Sequence, residues 1–218
     1  MNKLSKTQKK ELKRLWKDAD ENNDVEAQFF LGWKYQIGDT VIKSPERAFY
    51  WCRRAANQNH DKSLCQLGWK YYKGDHVKQN TTKAITFWSR AALLGDDKAL
   101  FNLGLLYLHG DGVPQDYQKA IKFYRRSAAR GNLGAMGDLG VMLINGEACE
   151  ADKKEGLSLI TEAAVKGHAA SQFNLAVICY FGESLVEQDY DAARYWLTQA
   201  VENGDEEAQE YLDSWFSE

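Results

Sequence analysis

The chain has 218 residues and a formal net charge of −3, so its bulk charge gives no reason to expect nucleic acid as a partner. Apolar residues make up 44% of the composition, which is enough material for a folded core. No run approaches the roughly 20 apolar residues that a membrane-spanning helix needs, so we do not expect a membrane as a partner either.

The first residues, MNKLSKTQKKELKRLW, are basic, but no apolar run follows them, so they do not form a secretory signal. Cysteine occurs four times without any CxxC pair, at Cys52, Cys65, Cys149 and Cys179. We therefore expect a cytoplasmic location and buried, unpaired thiols.

The sequence repeats itself every 36 residues. The dipeptide Leu31-Gly32 recurs three times at this spacing, and once more with alanine in place of glycine. The later copies are Leu67-Gly68, Leu103-Gly104, Leu139-Gly140 and Leu175-Ala176. A glycine recurs six residues after each of these small residues.

Each period predicts two helices, which we name A and B. Helix A has apolar residues at helical spacing around the small residue, and the recurring glycine suits its C-terminal cap. A side chain that can cap a helix precedes helix B in every period: Ser44, Asn80, Asp116, Asp152 and Asp189. The small residues let two helix backbones approach closely, and stacked helix pairs share a continuous core.

In chain order, we predict a capping B-type helix in residues 1–24, five repeats, and a capping A-type helix in residues 206–218. The repeats occupy residues 25–61, 62–97, 98–133, 134–169 and 170–205. Both end segments are more polar than the internal copies, as the caps of a repeat array are. We therefore expect a single and complete array.

The third period, ALFNLGLLYLHGDGVPQDYQKAIKFYRRSAARGN, resembles a Sel1-like repeat in its Leu-Gly pair, the following Tyr107 and the glycine-rich loop. The resemblance covers nearly the whole chain in five tandem copies. It implies an all-α fold, namely a right-handed α/α superhelical solenoid related to tetratricopeptide arrays. It also implies the usual role of that family, an adaptor in protein complexes, very often in bacteria.

Some residues depart from the family pattern. Four stand where the family has its second loop glycine: Thr40, His76, Ala148 and Ser184. Leu143 replaces the tyrosine and Gly156 an alanine, while Lys34 and Lys70 replace an apolar residue. We expect both lysines to be solvated, with a polar rim around a binding site as the alternative.

Helix A lines the concave face of tetratricopeptide-like solenoids. The resemblance therefore implies that the binding face is formed by the residues three positions before, one position after and four positions after the small residue of each A helix. This candidate set is Phe29, Trp33, Gln36, Cys65, Trp69, Tyr72, Leu105, Leu108, Val141, Ile144, Val177 and Tyr180. Trp33 and Trp69 should stack along one face, and large aromatics in an open groove are common interface anchors. Packing between repeats explains Trp33, Trp69 and Tyr72 equally well, and it is the preferred explanation for Phe29.

Charge is unevenly distributed at the two ends. Residues 1–14 carry six basic side chains and one acidic one, whereas residues 202–218 carry seven acidic side chains and no basic one. Solvated capping surfaces explain both segments. The alternatives are a head-to-tail contact between chains and an acidic site for a basic partner.

The sequence contains no HExxH pattern, no zinc-spaced Cys/His set, no P-loop and no GxGxxG motif. We therefore predict that the protein is not an enzyme and uses no metal or cofactor. The leading hypothesis is a scaffold that binds another protein or peptide through its concave face. An alternative is a cytoplasmic immunity protein that occludes a bacterial toxin, with an acidic stretch such as Asp205–Glu207 against a basic toxin. A third hypothesis is a hydrolase with its site in the groove.

Overall fold

A computed structural model of the protein describes residues 4–146, 152–183 and 185–216, so Ala148, Cys149 and Ser184 lie outside the described residues. The described residues form twelve α-helices and no β-strand, which confirms the predicted all-α class. The predicted B helices are α1 (Lys6–Asp20), α3 (Pro45–Asn57), α5 (Thr81–Leu94), α7 (Tyr117–Ala128), α9 (Lys153–Val165) and α11 (Tyr190–Glu202). The predicted A helices are α2 (Val25–Ile37), α4 (Asp61–Lys73), α6 (Asp97–His109), α8 (Leu133–Asn145), α10 (Ala169–Phe181) and α12 (Glu206–Phe216).

The helices belong to two compact units, Met1–Leu103 and Gly104–Glu218. In the first unit, α2 packs on α3 and α4 packs on α5, while α3 also contacts α4. In the second unit, α8 packs on α9 and α10 packs on α11, while α9 also contacts α10. Within each unit, these helices therefore pack mainly on their neighbours along the chain, as in a repeat protein.

Capping side chains begin the B helices where the sequence predicted them. The five caps accept a hydrogen bond from the backbone N–H three residues later, and they are Ser44, Asn80, Asp116, Asp152 and Asp189. The A helices α2, α4, α8 and α10 end at glycines in the left-handed conformation, for example Gly38 with φ of 83°.

The A helices also have N-terminal caps at the repeat spacing, which the sequence analysis did not identify. Asp24, His60, Asp96, Asn132 and Asp205 accept from the backbone three residues later. These five A helices therefore begin at polar side chains that satisfy one of their first amide groups, whereas the side chain of His168 makes no such hydrogen bond at the start of α10.

The small residues of the A helices allow the close helix contacts that the repeat pattern predicted. A Cβ atom on Gly68 would lie 2.3 Å from Nε1 of Trp88, and one on Gly104 would lie 2.6 Å from the ring of Tyr124. Trp88 also donates its indole N–H to the backbone carbonyl of Cys65 over 3.1 Å. Each glycine thus leaves room for a large aromatic side chain of the following B helix.

Hydrophobic packing and one buried amide fix the first A helix on α1. Trp16 of α1 lies edge-on against Tyr35 of α2, with ring centroids 6.3 Å apart. The side chain of Gln28 is fully buried and donates to the carbonyl of Ala19 over 3.0 Å. These contacts orient α2, and with it the side chains of α2 that face outwards.

Candidate functional site

All twelve residues of the candidate binding set lie on the A helices α2, α4, α6, α8 and α10. Trp33 and Trp69 are 43% and 46% exposed, and Gln36 is also exposed. Cys65 is buried, and the other eight are partly buried. The set therefore combines surface positions with packing positions, and the largest exposed members are the two tryptophans.

A cleft of about 460 Å³ opens between α2, α3 and α4 in the first unit, and we call it the Trp69 cleft. It is lined by Gly32, Gln36, Ala48, Cys52, Gln66, Trp69, Lys70, Lys73 and Asp75. Two members of the candidate set, Gln36 and Trp69, contribute to it from two successive A helices. Its lining joins an aromatic surface to amide and charged groups, a combination common in binding sites.

The Trp69 cleft contains a buried ammonium group. Lys70 is 8% exposed, and its Nζ donates to Oε1 of Gln36 over 3.1 Å and to Oδ2 of Asp75 over 3.0 Å. The hydrogen bond from Lys70 holds the pKa of Asp75 below its usual range. The expectation of a solvated lysine is therefore wrong for Lys70, because Asp75 and Gln36 compensate its buried charge.

Trp69 belongs to an aromatic cluster at the edge of this cleft. Its ring centroid lies 5.5 Å from that of Tyr72 and 6.0 Å from that of Trp88. The ammonium of Lys73 lies 5.2 Å from the centroid of Trp69 and 5.4 Å from that of Tyr72. Trp69 thus packs against its neighbours on one side and remains available to a partner on the other.

Trp33 lines a different depression, of about 480 Å³, between α1 and α2. We call it the α1–α2 groove, and it is lined by Gln8, Glu11, Leu12, Arg14, Leu15, Asp18, Phe30, Trp33, Lys34 and Thr40. Lys34 pairs with Asp39 over 2.6 Å, as Lys70 pairs with Asp75 one repeat later. The two tryptophans therefore occupy the same position in successive repeats and line separate depressions.

Candidate residues of the second unit contribute mainly to packing. The ring of Tyr180 is stacked on that of Trp215 with centroids 3.8 Å apart. Val141 and Ile144 pack against the core cluster that contains Ile160 and Leu175. Leu105, Leu108 and Val177 are partly buried. The exposed aromatic members of the candidate set thus lie in the first unit.

The second unit also brings together an Asp, a His and a Ser that the sequence analysis did not single out. Burial raises the pKa of Asp138 and lowers that of His168, while the hydroxyl of Tyr124 and the imidazole of His168 oppose the shift of Asp138. Nδ1 of His168 lies 2.8 Å from Oγ of Ser171, which is fully buried. Because no substrate could reach that hydroxyl, these residues do not form a nucleophilic site.

The described cysteines Cys52, Cys65 and Cys179 are free and buried, which confirms the expectation for these three, and Cys149 lies outside the described residues. Burial raises the pKa of the Cys52 thiol to about 12, so it is protonated at neutral pH. Within residues 4–146, 152–183 and 185–216, no three His, Cys, Asp or Glu side chains are close enough to hold a metal ion. None of the described helices has the length and hydrophobicity needed to cross a bilayer.

Residues 25–60, 61–96, 97–132, 134–168 and 169–205 each match the model of the Sel1 repeat. No curated protein is similar enough to the chain to be matched with it. The matched segments include every residue of the candidate set, so the set lies wholly within Sel1 repeats.

Solved structures show the same fold. A Sel1-repeat protein from Oxalobacter formigenes is 30% identical with a TM-score of 0.85, over 91% of this chain and 81% of that chain. A protective antigen present in uropathogenic Escherichia coli strains is also 30% identical, with a TM-score of 0.78. The match covers 90% of this chain and 42% of the antigen, so this chain spans less than half of that protein. An immunity protein from Pseudomonas aeruginosa is 22% identical with a TM-score of 0.58, over 84% of this chain and 67% of that chain. Since the repeat model matches most of its length, the chain belongs to the Sel1-repeat family.

Proposed function

We propose that this protein is a non-catalytic scaffold that binds another protein or a peptide through exposed aromatic side chains of its A helices. Sel1-repeat proteins are generally protein-interaction scaffolds. The observation that carries the proposal is the exposure of Trp33 and Trp69, at 43% and 46%, each beside a depression in the surface. Tryptophan is enriched among the residues that dominate binding energy at interfaces.

The surroundings of the two tryptophans favour recognition of another molecule. Both A helices are held by buried contacts, so the indole rings are presented from ordered elements and lose little entropy on binding. Polar groups stand beside each ring, namely Lys34 at Trp33, and Gln36 and Lys73 at Trp69. An aromatic anchor with a polar rim is the usual composition of a protein interface.

The proposal predicts that Trp33→Ala together with Trp69→Ala abolishes partner capture without unfolding the chain. Affinity purification of the tagged protein from its native lysate, followed by mass spectrometry, should show a specific partner at least about tenfold depleted, the loss expected for interface anchors. Tyr50→Ala together with Tyr195→Ala is the matched control, because both tyrosines are more than half exposed on B helices.

Helical content and melting temperature, measured by circular dichroism, should stay close to those of the native chain in both double variants. Capture of the same partner by the tryptophan variant would refute the proposal. Loss of folding would show that these side chains serve packing between repeats.

The immunity role is a second candidate, favoured by exposed carboxylates on α12 such as Glu206, Glu207 and Glu210. They would suit a basic partner. The immunity proteins of similar structure share only the fold at this level of identity. The same capture experiment separates the candidates, since an immunity protein would retain a catalytic toxin and inhibit it.

A further inference from the structure

The α1–α2 groove and the Trp69 cleft share four equivalent lining positions one repeat apart. Trp33 corresponds to Trp69, Lys34 to Lys70, and Leu12 to Ala48. One wall differs between them. In the Trp69 cleft, Gly32 and Gln36 of α2 form the third wall, whereas the lining of the α1–α2 groove comes from α1, α2 and Thr40.

The face of α2 that borders the α1–α2 groove is also more apolar than the corresponding face of α4. Phe30 stands where the second repeat has Gln66, and Ile37 stands where it has Lys73. Phe30 and Ile37 are 50% and 51% exposed, and together with Trp33 they form a stripe along one face of α2. An exposed apolar stripe of this kind marks an interaction surface.

Three of the four charged side chains that line the groove, Arg14, Asp18 and Lys34, have an oppositely charged partner. Arg14 lies 3.7 Å from Asp18, and Lys34 lies 2.6 Å from Asp39. A charged ligand would have to compete with these pairs, whereas an apolar surface would cover Leu12, Leu15 and Phe30 without disturbing them. The groove therefore favours an occupant that presents an apolar face.

The packing inside the first unit shows what shape that occupant has. In the next repeat, α2 fills the corresponding place, close enough that a Cβ on Gly32 would lie 3.3 Å from the backbone nitrogen of Cys52. We infer that the α1–α2 groove binds an amphipathic α-helix of a partner protein, in the position that α2 takes on α3 and α4. The inference rests on the proposed function and names the kind of partner segment that the groove receives.

The partner helix has a defined pattern. It carries a small residue where it crosses α1, as Gly32 does where α2 crosses α3, and large apolar residues on either side of it. The stripe from Phe30 to Ile37 extends about 10 Å, so a helix of at least about two turns is needed to cover it. This is the helix-in-groove mode of recognition, read through apolar anchors at helical spacing.

A synthetic peptide tests the inference directly. The probe is residues 97–109 of this chain, DKALFNLGLLYLH, acetylated, amidated and labelled with fluorescein, because this A helix carries the complete pattern. Fluorescence anisotropy should show saturable binding to the full chain, and a scrambled peptide of the same composition should not bind. Phe30→Gln with Ile37→Lys should weaken binding at least about tenfold, through the loss of two apolar contacts.

That double variant introduces the residues that the second repeat already has at these positions, so we expect it to fold. Ile42→Lys with Leu93→Gln is the matched control, since these apolar residues are 71% and 83% exposed outside the groove, and it should bind the peptide like the native chain.

Absence of saturable binding up to about 1 mM peptide, the weak end of specific recognition, would overturn the inference, as would equal binding by the groove variant. Sedimentation velocity that shows a dimer of the native chain, lost in the groove variant, would assign the groove to a second copy and also overturn it. Tryptophan-dependent capture of a partner alongside a failed peptide test would leave the proposed function standing and remove only this inference.

Discussion

Thr40 and His76 hold backbone conformations that favour glycine. Their φ angles are 61° and 57°, and the third repeat has Gly112 at the same position with φ of 74°. For a residue with a Cβ, the left-handed conformation costs about 1–2 kcal/mol of conformational free energy, and the β-branched threonine is among the residues least suited to it. Both residues directly follow the aspartates that pair with Lys34 and Lys70, so the strained loops also hold the paired charges.

Replacing either residue with glycine should stabilise the protein. We expect Thr40→Gly and His76→Gly each to raise the free energy of unfolding by about 0.5–1 kcal/mol, since relief of strain exceeds the greater entropy of glycine in the unfolded chain. The measurement is the midpoint of urea unfolding at constant m-value. Gly112→Thr is the reverse control and should destabilise. A lower midpoint for Thr40→Gly would show that the 2.6 Å hydrogen bond from its hydroxyl to the Asp39 carbonyl outweighs the strain.

At the scale of helix pairs, the distance between an A helix and the following B helix depends on what fills the space beside the small residue. Beside Gly68 that space holds the indole of Trp88, 2.3 Å from where a Cβ would stand. Beside Gly32 the nearest atoms are the backbone of α3, and a Cβ would meet them at 3.3 Å. Glycine at the same position of two repeats therefore differs in how much room it leaves for an added methyl group.

This difference predicts unequal effects of the same substitution. Gly68→Ala should lower the free energy of unfolding by about 1–3 kcal/mol, because the added methyl group displaces the Trp88 ring. Gly32→Ala should be close to neutral, since a tighter contact offsets the roughly 1 kcal/mol gain in helix propensity. Urea unfolding of both variants measures the contrast. An equal decrease in the free energy of unfolding of the two variants would show that the effect comes from replacing the glycine itself and not from the indole beside it.

The helix pairs and the starts of the B helices follow from the sequence because caps, apolar spacing and small residues recur at one fixed period. Differences between equivalent positions do not follow from it. Trp33 and Trp69 are identical in the pattern, yet Trp69 contacts Trp88 and Lys73, while Trp33 borders a groove that lacks a third wall. The burial of Lys70 likewise depends on Gln36 of the preceding repeat. A repeat receives part of its environment from its neighbours, so its own residues specify only part of its site.

At the scale of the whole molecule, the chain consists of two compact units, and within each of them the helices pack chiefly on their neighbours along the chain. Stability in such an array is a sum of local terms, so a defect in one repeat should loosen the helices around it more than distant ones. Gly68 in the first unit and Gly140 in the second allow a matched comparison. A Cβ on Gly140 would lie 2.6 Å from Cγ1 of Ile160 and 2.8 Å from the carbonyl oxygen of Gly156.

We therefore expect Gly68→Ala and Gly140→Ala to loosen different parts of the chain. Hydrogen exchange followed by mass spectrometry should show faster exchange in α2 to α5 for Gly68→Ala, with α9 to α11 as protected as in the native protein. Gly140→Ala should give the reverse pattern, because the crowded contact lies between α8 and α9. The same loss of protection in all these helices for both variants would mean that the chain unfolds as one cooperative body. If each variant loosens only the helices around it, the exposed tryptophans of the first unit can be substituted for binding studies without disturbing the helices of the second unit.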